Sequence, residues 1–182
     1  MTFKTRGLHF CFYHQDSEQM NAGLLISAPM KEADFEQLKK KLAKYCAWQE
    51  RCSDDVNKKL INLGASKHDM EKIVKWLTDE KYINDSRFAA SFARGKFNNN
   101  NWGKNRIIAE LRARNLDEQI IRDALNEIEE NDYLNTIKEL ALRKWKEIKT
   151  DDPFVKKQKT AAFLVNKGYE TDLVFRILGK IE

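Results

Sequence analysis

The sequence predicts an all-α protein made of tandem three-helix repeats, three units and about nine helices, in an elongated array with room to curve. Three observations predict it. Only two prolines occur, Pro29 and Pro153, so the interval between them lacks the strongest helix breaker. Strand-like alternation is hard to find. Most tellingly, three 22-residue windows align without gaps: VNKKLINLGASKHDMEKIVKWL from Val56, IIAELRARNLDEQIIRDALNEI from Ile107 and TAAFLVNKGYETDLVFRILGKI from Thr160. Self-similarity at this period marks a helical array, in which each unit stacks mainly on its neighbours.

Residues 1–29 show no helical period and are expected to be a poorly ordered or non-native extension, with Met30 as the natural start. His9, Cys11 and His14 in this stretch are irregularly spaced and lack a fourth ligand, so no metal site is expected there. The charged amphipathic pattern begins abruptly at Met30. The first unit, 30–83, opens with a helix over Lys31–Trp48, the second, 84–132, with one over Asp85–Phe97, and the third, 133–182, with one over Asn135–Lys149. Each window then supplies a helix, a tight turn and another helix. Leu60, Leu111 and Leu164 share a column, as do Met70, Ile121 and Val174, then Ile73, Ala124 and Ile177, then Val74, Leu125 and Leu178, then Leu77, Ile128 and Ile181. That spacing is an apolar helical stripe.

Gly64, Asn115 and Gly168 stand between the paired helices, and these residue types tolerate the positive φ of a left-handed cap. Ser66, Asp117 and Thr171 are the expected N-caps of the following helices. Tyr82-Ile83-Asn84 and Tyr133-Leu134-Asn135 recur at the unit boundaries, closing one unit and opening the next. Asp152-Pro153 supplies an N-cap and a first-turn proline. The asparagine run Asn98 to Asn101 reads as a flexible spacer, a hinge before a helix that restarts at Trp102-Gly103. Phe88, Phe92, Phe97, Trp76, Trp145 and Tyr82 fall at helical spacing and are expected in the core, and Ile107, Ile108 and Leu111 face it too.

Composition bounds the function. The chain has 182 residues, 34% of them charged, and a formal charge of +5, the profile of a soluble, mildly basic protein. Three cysteines argue against a disulfide framework and for a reducing, cytoplasmic location. Cys46 and Cys52 are read as small packing residues. No apolar run approaches the roughly 20 residues of a membrane span, and the start lacks the pattern of an export signal. Catalysis finds no support: there is no phosphate-cradling glycine loop, nucleophile motif or histidine–carboxylate cluster, and His68 is the one histidine in the repeats. Asp54-Asp55 and Asp151-Asp152 stand at helix starts, where carboxylates meet the helix dipole favourably. No enzyme activity, cofactor or metal is expected.

Charge is segregated along the chain. Residues 84–116 carry Arg87, Arg94, Lys96, Lys104, Arg106, Arg112 and Arg114 against Asp85 and Glu110, whereas 117–132 holds seven carboxylates against Arg122. Lys156, Lys157, Lys159 and Lys167 stand on the equivalent helix of the third unit. Repeat alignment pairs Lys104 with Lys157, Arg106 with Lys159 and Arg114 with Lys167. One-sided clustering of this kind is the footprint of polyanion binding through phosphates, without base readout. The first unit has Ser53 and Asp55 in those columns, so no continuous stripe is expected. Trp102, beside polar residues, is expected to pack under its helix and could stack on a base or a partner.

The segment YINDSRFAASFARGKFNNNNWGKNRIIAELRARNLDEQIIRDALNEI is similar to the central signature of the RecX family, bacterial regulators of the RecA recombinase. The resemblance spans about Ala43 to Ile181 and rests on the Tyr-Ile-Asn-Asp junction, Arg87-Phe88-Ala89, Gly103, Arg106-Ile107, Glu110-Leu111 and the turn after Arg114. Asn115 stands where the family usually has glycine. Residues 1–29 have no counterpart. The chain is expected to be a monomer, and the resemblance implies an all-helical array of three-helix repeats that binds in the groove of the RecA filament on single-stranded DNA. There such proteins usually restrain extension, ATP hydrolysis, strand exchange and coprotease activity. The mechanism expected from the charge pattern is that the array spans adjacent RecA protomers, while the ridges around Lys104, Arg106, Arg114, Lys157 and Lys159 meet acidic RecA surface or nearby DNA phosphates. The alternative reading of the residues is a stand-alone nucleic-acid-binding module of helix-turn-helix-like units.

Overall fold

The structure, a computed structural model, describes residues 31–181. The expectations for residues 1–29, including His9, Cys11 and His14, lie outside these. Among the described residues nine helices follow one another: α1 Glu32–Trp48, α2 Ser53–Asn62, α3 Lys67–Asp79, α4 Asp85–Asn100, α5 Lys104–Arg112, α6 Glu118–Asn126, α7 Glu130–Glu147, α8 Pro153–Asn166 and α9 Thr171–Leu178. No strand occurs among the described residues. In each group of three, the first helix packs on the closing helix, α1 on α3, α4 on α6 and α7 on α9, while α7 also packs along α8.

The apolar columns form the core. Leu60, Leu111 and Leu164 are fully buried, as are Ile73 and Leu77, and Ile121, Ala124, Val174 and Ile177 are buried with them. Gly64, Asn115 and Gly168 adopt the expected positive φ, 73°, 55° and 95°. Ser66 accepts from the Asp69 amide and donates back to the Asp69 carboxylate, a reciprocal cap on α3. Asp117 caps α6 through the Gln119 amide. Asp152 caps α8 through the Phe154 and Val155 amides, with Pro153 in the first turn.

Five local expectations are corrected. The asparagine run is no spacer: Asn98, Asn99 and Asn100 complete the last turn of α4, and Asn101 alone turns the chain, at φ 51°. Its amide donates to the Phe97 carbonyl and the Trp102 amide to that of Lys96, closing the helix end by hydrogen bonds. Helix α7 starts at Glu130, ahead of the expected Asn135. The stretch Glu130 to Leu134 contains no breaker, and Glu130 and Asp132 suit a first turn. Tyr82-Ile83-Asn84 and Tyr133-Leu134-Asn135 therefore differ in structure despite their likeness, since Asn84 caps α4 while Asn135 lies within α7. Thr171 is the first residue of α9, and Glu170 holds the N-cap position. Tyr82, expected in the core, is 36% exposed and leans on Trp76 at 5.6 Å.

Apolar packing divides the described chain into two bodies. One core contains Leu42, Cys46, Val56, Leu60, Ile73, Leu77 and Ile83, all from α1–α3 and the residues just after them. The other runs continuously through α4–α9, and Cys52, at the start of α2, reaches into it. Burial pushes the thiols of Cys46 and Cys52 up to about 11, which keeps them protonated and unreactive.

Candidate nucleic-acid interface

Two junctions position the candidate surface, and they are repeat-equivalent. At the second, the turn at Gly168 presses on the start of α5: the Gly103 amide donates to the Lys167 carbonyl at 2.9 Å and the Asn105 amide to the Gly168 carbonyl at 3.0 Å. The approach requires glycine on both sides. A Cβ on Gly103 would lie 2.2 Å from the Gly168 carbonyl carbon, and one on Gly168 2.4 Å from the Arg106 Cβ. The Tyr133 hydroxyl accepts from the Lys104 amide, capping α5 from the next unit, and donates to Glu170 at 2.7 Å. Burial and then the hydrogen bond to Glu170 push the Tyr133 phenol well above its ordinary range. The Tyr169 ring lies tilted beside it at 5.3 Å, and its hydroxyl donates to the Asn101 carbonyl.

At the first junction, Asn115 is the residue equivalent to Gly168, and its side-chain Nδ2 donates to the Asp54 carboxylate at 2.8 Å. The Ser53 amide, equivalent to that of Lys104, is capped by Asp85 of α4 at 2.7 Å. Arg87 pairs with Glu50 at 2.9 Å across the same boundary. Burial opposes the charge on Asp54, but hydrogen bonds from Lys58 and Asn115 hold its carboxyl below the ordinary value.

The expected site residues separate into three sets. Arg87, Arg94, Lys104 and Arg112 are ion-paired, with Glu50, Glu127, Glu130 and Glu118 respectively. Arg87 and Lys104 lie at the junctions just described. A second set is connected through aromatic rings. Arg114 lies over Phe92 at 5.0 Å, Lys96 over Phe92 at 5.2 Å and over Trp102 at 4.9 Å, and Arg106 over Trp102 at 4.0 Å. These contacts form one ladder across α4 and α5, within the range of cation–π attraction. Arg106 and Lys96 have no carboxylate partner among the described residues, whereas Arg114 pairs with Glu110 at 2.9 Å. Lys167 adjoins this set, donating to the Asn100 carbonyl at 3.0 Å.

The third set lies on α8. Lys156 lines a small cavity with Trp145, Asp151, Pro153 and Ile181, Lys157 is half-buried and Lys159 is exposed. Trp102 is half-buried against the core, with its ring carrying the two cations. The aligned columns thus have different settings: Arg114 and Lys167 each stand beside a junction turn, and only Arg106 of the central column joins the ladder. Missed by the sequence reading was a groove of about 400 Å³ where Gln49, Glu50, Arg51 and Asp55 face α4 and Arg114. Arg51 lies outside the aligned windows and Phe92 follows an apolar stripe, so neither gave a signal.

The family model for the second three-helix domain of RecX matches residues 84–125, and that for the third matches residues 130–178. This chain belongs to the RecX family. The matched residues contain both halves of the Gly103–Gly168 junction and all of the aromatic–cation ladder. "Regulatory protein RecX" of Clostridioides difficile is 27% identical over 132 residues, 71% of this chain and 62% of its own length. Its namesake in Bacillus subtilis is 27% identical over 141 residues, 76% of this chain and 52% of that protein. The chain therefore spans between half and two thirds of the length of these RecX relatives. A solved structure of regulatory protein RecX superposes with a TM-score of 0.73 at 26% identity, covering 81% of this chain and 72% of that one. RecX from Lactobacillus salivarius shares the fold, with a TM-score of 0.74 at 24% identity over 81% of this chain and 96% of the other.

Proposed function

We propose that this RecX-family chain acts as a regulator of RecA. It binds the filament that RecA forms on single-stranded DNA, and modulates, mostly by inhibiting, recombinase, ATPase and coprotease activities in recombination and DNA repair. Membership of the RecX family, through its second and third three-helix domains, carries this reading. The chain works by occupying a surface, as a cytoplasmic monomer with no chemistry of its own. Among the described residues no helix is long and apolar enough to cross a membrane.

The ladder Arg114–Phe92–Lys96–Trp102–Arg106 supports a binding face, because aromatic rings interleaved with cations suit stacked bases and phosphates together. On α8, Lys159 is a further exposed cation. Inhibition of the DNA-dependent ATPase of RecA tests the reading. The wild-type chain lowers hydrolysis at substoichiometric amounts, and the double reversal Arg106→Glu with Lys159→Glu relieves that inhibition. A folded double variant that inhibits as well as wild type would sink the assignment of the face.

The same ladder also favours the second reading, a stand-alone module for single-stranded nucleic acid. Titration separates the two. A filament regulator binds bare DNA weakly, with affinity falling steeply with salt, yet engages preformed filaments tightly. A stand-alone module binds bare DNA as well as it binds the filament.

A further inference from the structure

The groove between the Gln49–Arg51 corner and α4 contains a glycine that the fold does not require. Gly95 lies inside α4, and a Cβ placed on it would meet nothing within 4 Å. Its backbone is not left-handed either. Gly103 and Gly168, by contrast, are held to glycine by neighbours at 2.2 and 2.4 Å. A glycine inside a helix weakens it relative to alanine, so Gly95 costs stability without any return from this chain's own packing. What it does provide is a strip of bare helix backbone lining the groove, the arrangement glycine offers where another molecule approaches closely.

Cations flank that strip. Arg51 lies over Tyr45 at 4.4 Å, and its Nε is buried with no acceptor among the described residues. Lys96, one residue from Gly95, lies over Phe92 and Trp102. Neither has a carboxylate partner among the described residues. Of the two acids in the groove, Glu50 is engaged by Arg87 at 2.9 Å, which leaves Asp55. Arg114 stands over Phe92, and the last turn of α4 adds the exposed amides of Asn99 and Asn100.

We propose that this groove seats about one nucleotide of a single strand. Its sugar–phosphate backbone crosses Gly95, its phosphates lie between Arg51 and Lys96, and its base lies on the Phe92–Arg114 side within reach of the asparagine amides. The proposal rests on the filament reading for the source of the strand, since the groove's own chemistry selects single-stranded nucleic acid whichever protein coats it. It also gives the asparagine run a use beyond ending a helix.

The test uses the full chain and fluorescein-labelled oligothymidylate, read by anisotropy, with Gly95→Gln as the variant. Glutamine favours the helix and its Cβ meets nothing within 4 Å, so the melting temperature rises by about 2–4 °C, while affinity for the oligonucleotide falls by about tenfold. Arg51→Ala and Lys96→Ala each reduce the slope of log affinity against log salt by about 0.7. A Gly95→Gln chain that binds as tightly as wild type overturns the groove, as does a wild-type chain that does not bind the oligonucleotide. The same proteins are assayed against the RecA ATPase. If Gly95→Gln loses inhibition yet keeps its oligonucleotide affinity, the occupant is a protein segment and the nucleotide assignment fails. If wild type binds the oligonucleotide in the groove but leaves RecA unaffected, the filament reading fails and the groove stands.

Discussion

Gly64, Gly103 and Gly168 are held to glycine for different reasons, and their alanine variants separate those reasons. At Gly64 a Cβ meets open space, so only the positive φ resists it, at about 1–2 kcal/mol. At Gly103 the obstacle is backbone at 2.2 Å, and we expect roughly 3 kcal/mol, because backbone cannot swing aside as a side chain can. Denaturant melts of the two variants rank them. Tyr133→Phe removes the cap on the Lys104 amide and the bond to Glu170, and should cost about 1–3 kcal/mol by the same measurement. The positive φ at residue 168 was legible from its column, since only certain residues end a helix that way. The need for glycine at 103 was not, because it arises from a contact with residue 168 across two units.

Helix ends and junctions explain where the sequence reading succeeded and where it did not. Apolar columns placed the α2–α3, α5–α6 and α8–α9 pairs correctly, since a helical stripe is a local signal. The end of α4 and the start of α7 were misjudged because asparagine is a weak helix former but no breaker, and packing of Phe97 into the core carries the helix past it. Replacing Asn98, Asn99 and Asn100 by alanine should therefore raise stability by a few tenths of a kcal/mol each, whereas a spacer would show no such gain in helicity by circular dichroism.

The two junctions should also respond oppositely to pH. The Asp54 carboxyl is depressed in the folded chain, so its contribution is present above its ordinary value of 3.8 and lost as pH falls through the folded value. The Tyr133 phenol is raised, so its contribution is present below 10.0 and lost as pH climbs towards the folded value. Thermal melts across pH check both, with Asp54→Asn flattening the acid limb and Tyr133→Phe the alkaline one.

At the scale of the whole molecule, α4–α9 form one continuous apolar body while α1–α3 hold a core of their own. The boundary between them is bridged by Asp54, Asn115, Arg87 and Glu50, and the nucleotide-sized groove lies beside it. The array architecture was visible in the sequence because it is a matter of period. The candidate surface was legible only as charge: the basic columns stand out in the sequence, but ion pairs to Glu127 and Glu118 engage Arg94 and Arg112, and which cations have such partners depends on helix packing.

We propose that this chain restrains RecA through Arg106 on α5 and Lys159 on α8. The most direct test is the rate of ATP hydrolysis by RecA on single-stranded DNA, titrated with wild type and with the Arg106→Glu, Lys159→Glu chain. The account predicts inhibition by wild type well below one chain per RecA protomer, and its loss in a double variant that melts at the wild-type temperature. Equal inhibition by both proteins, or none by wild type, would contradict it.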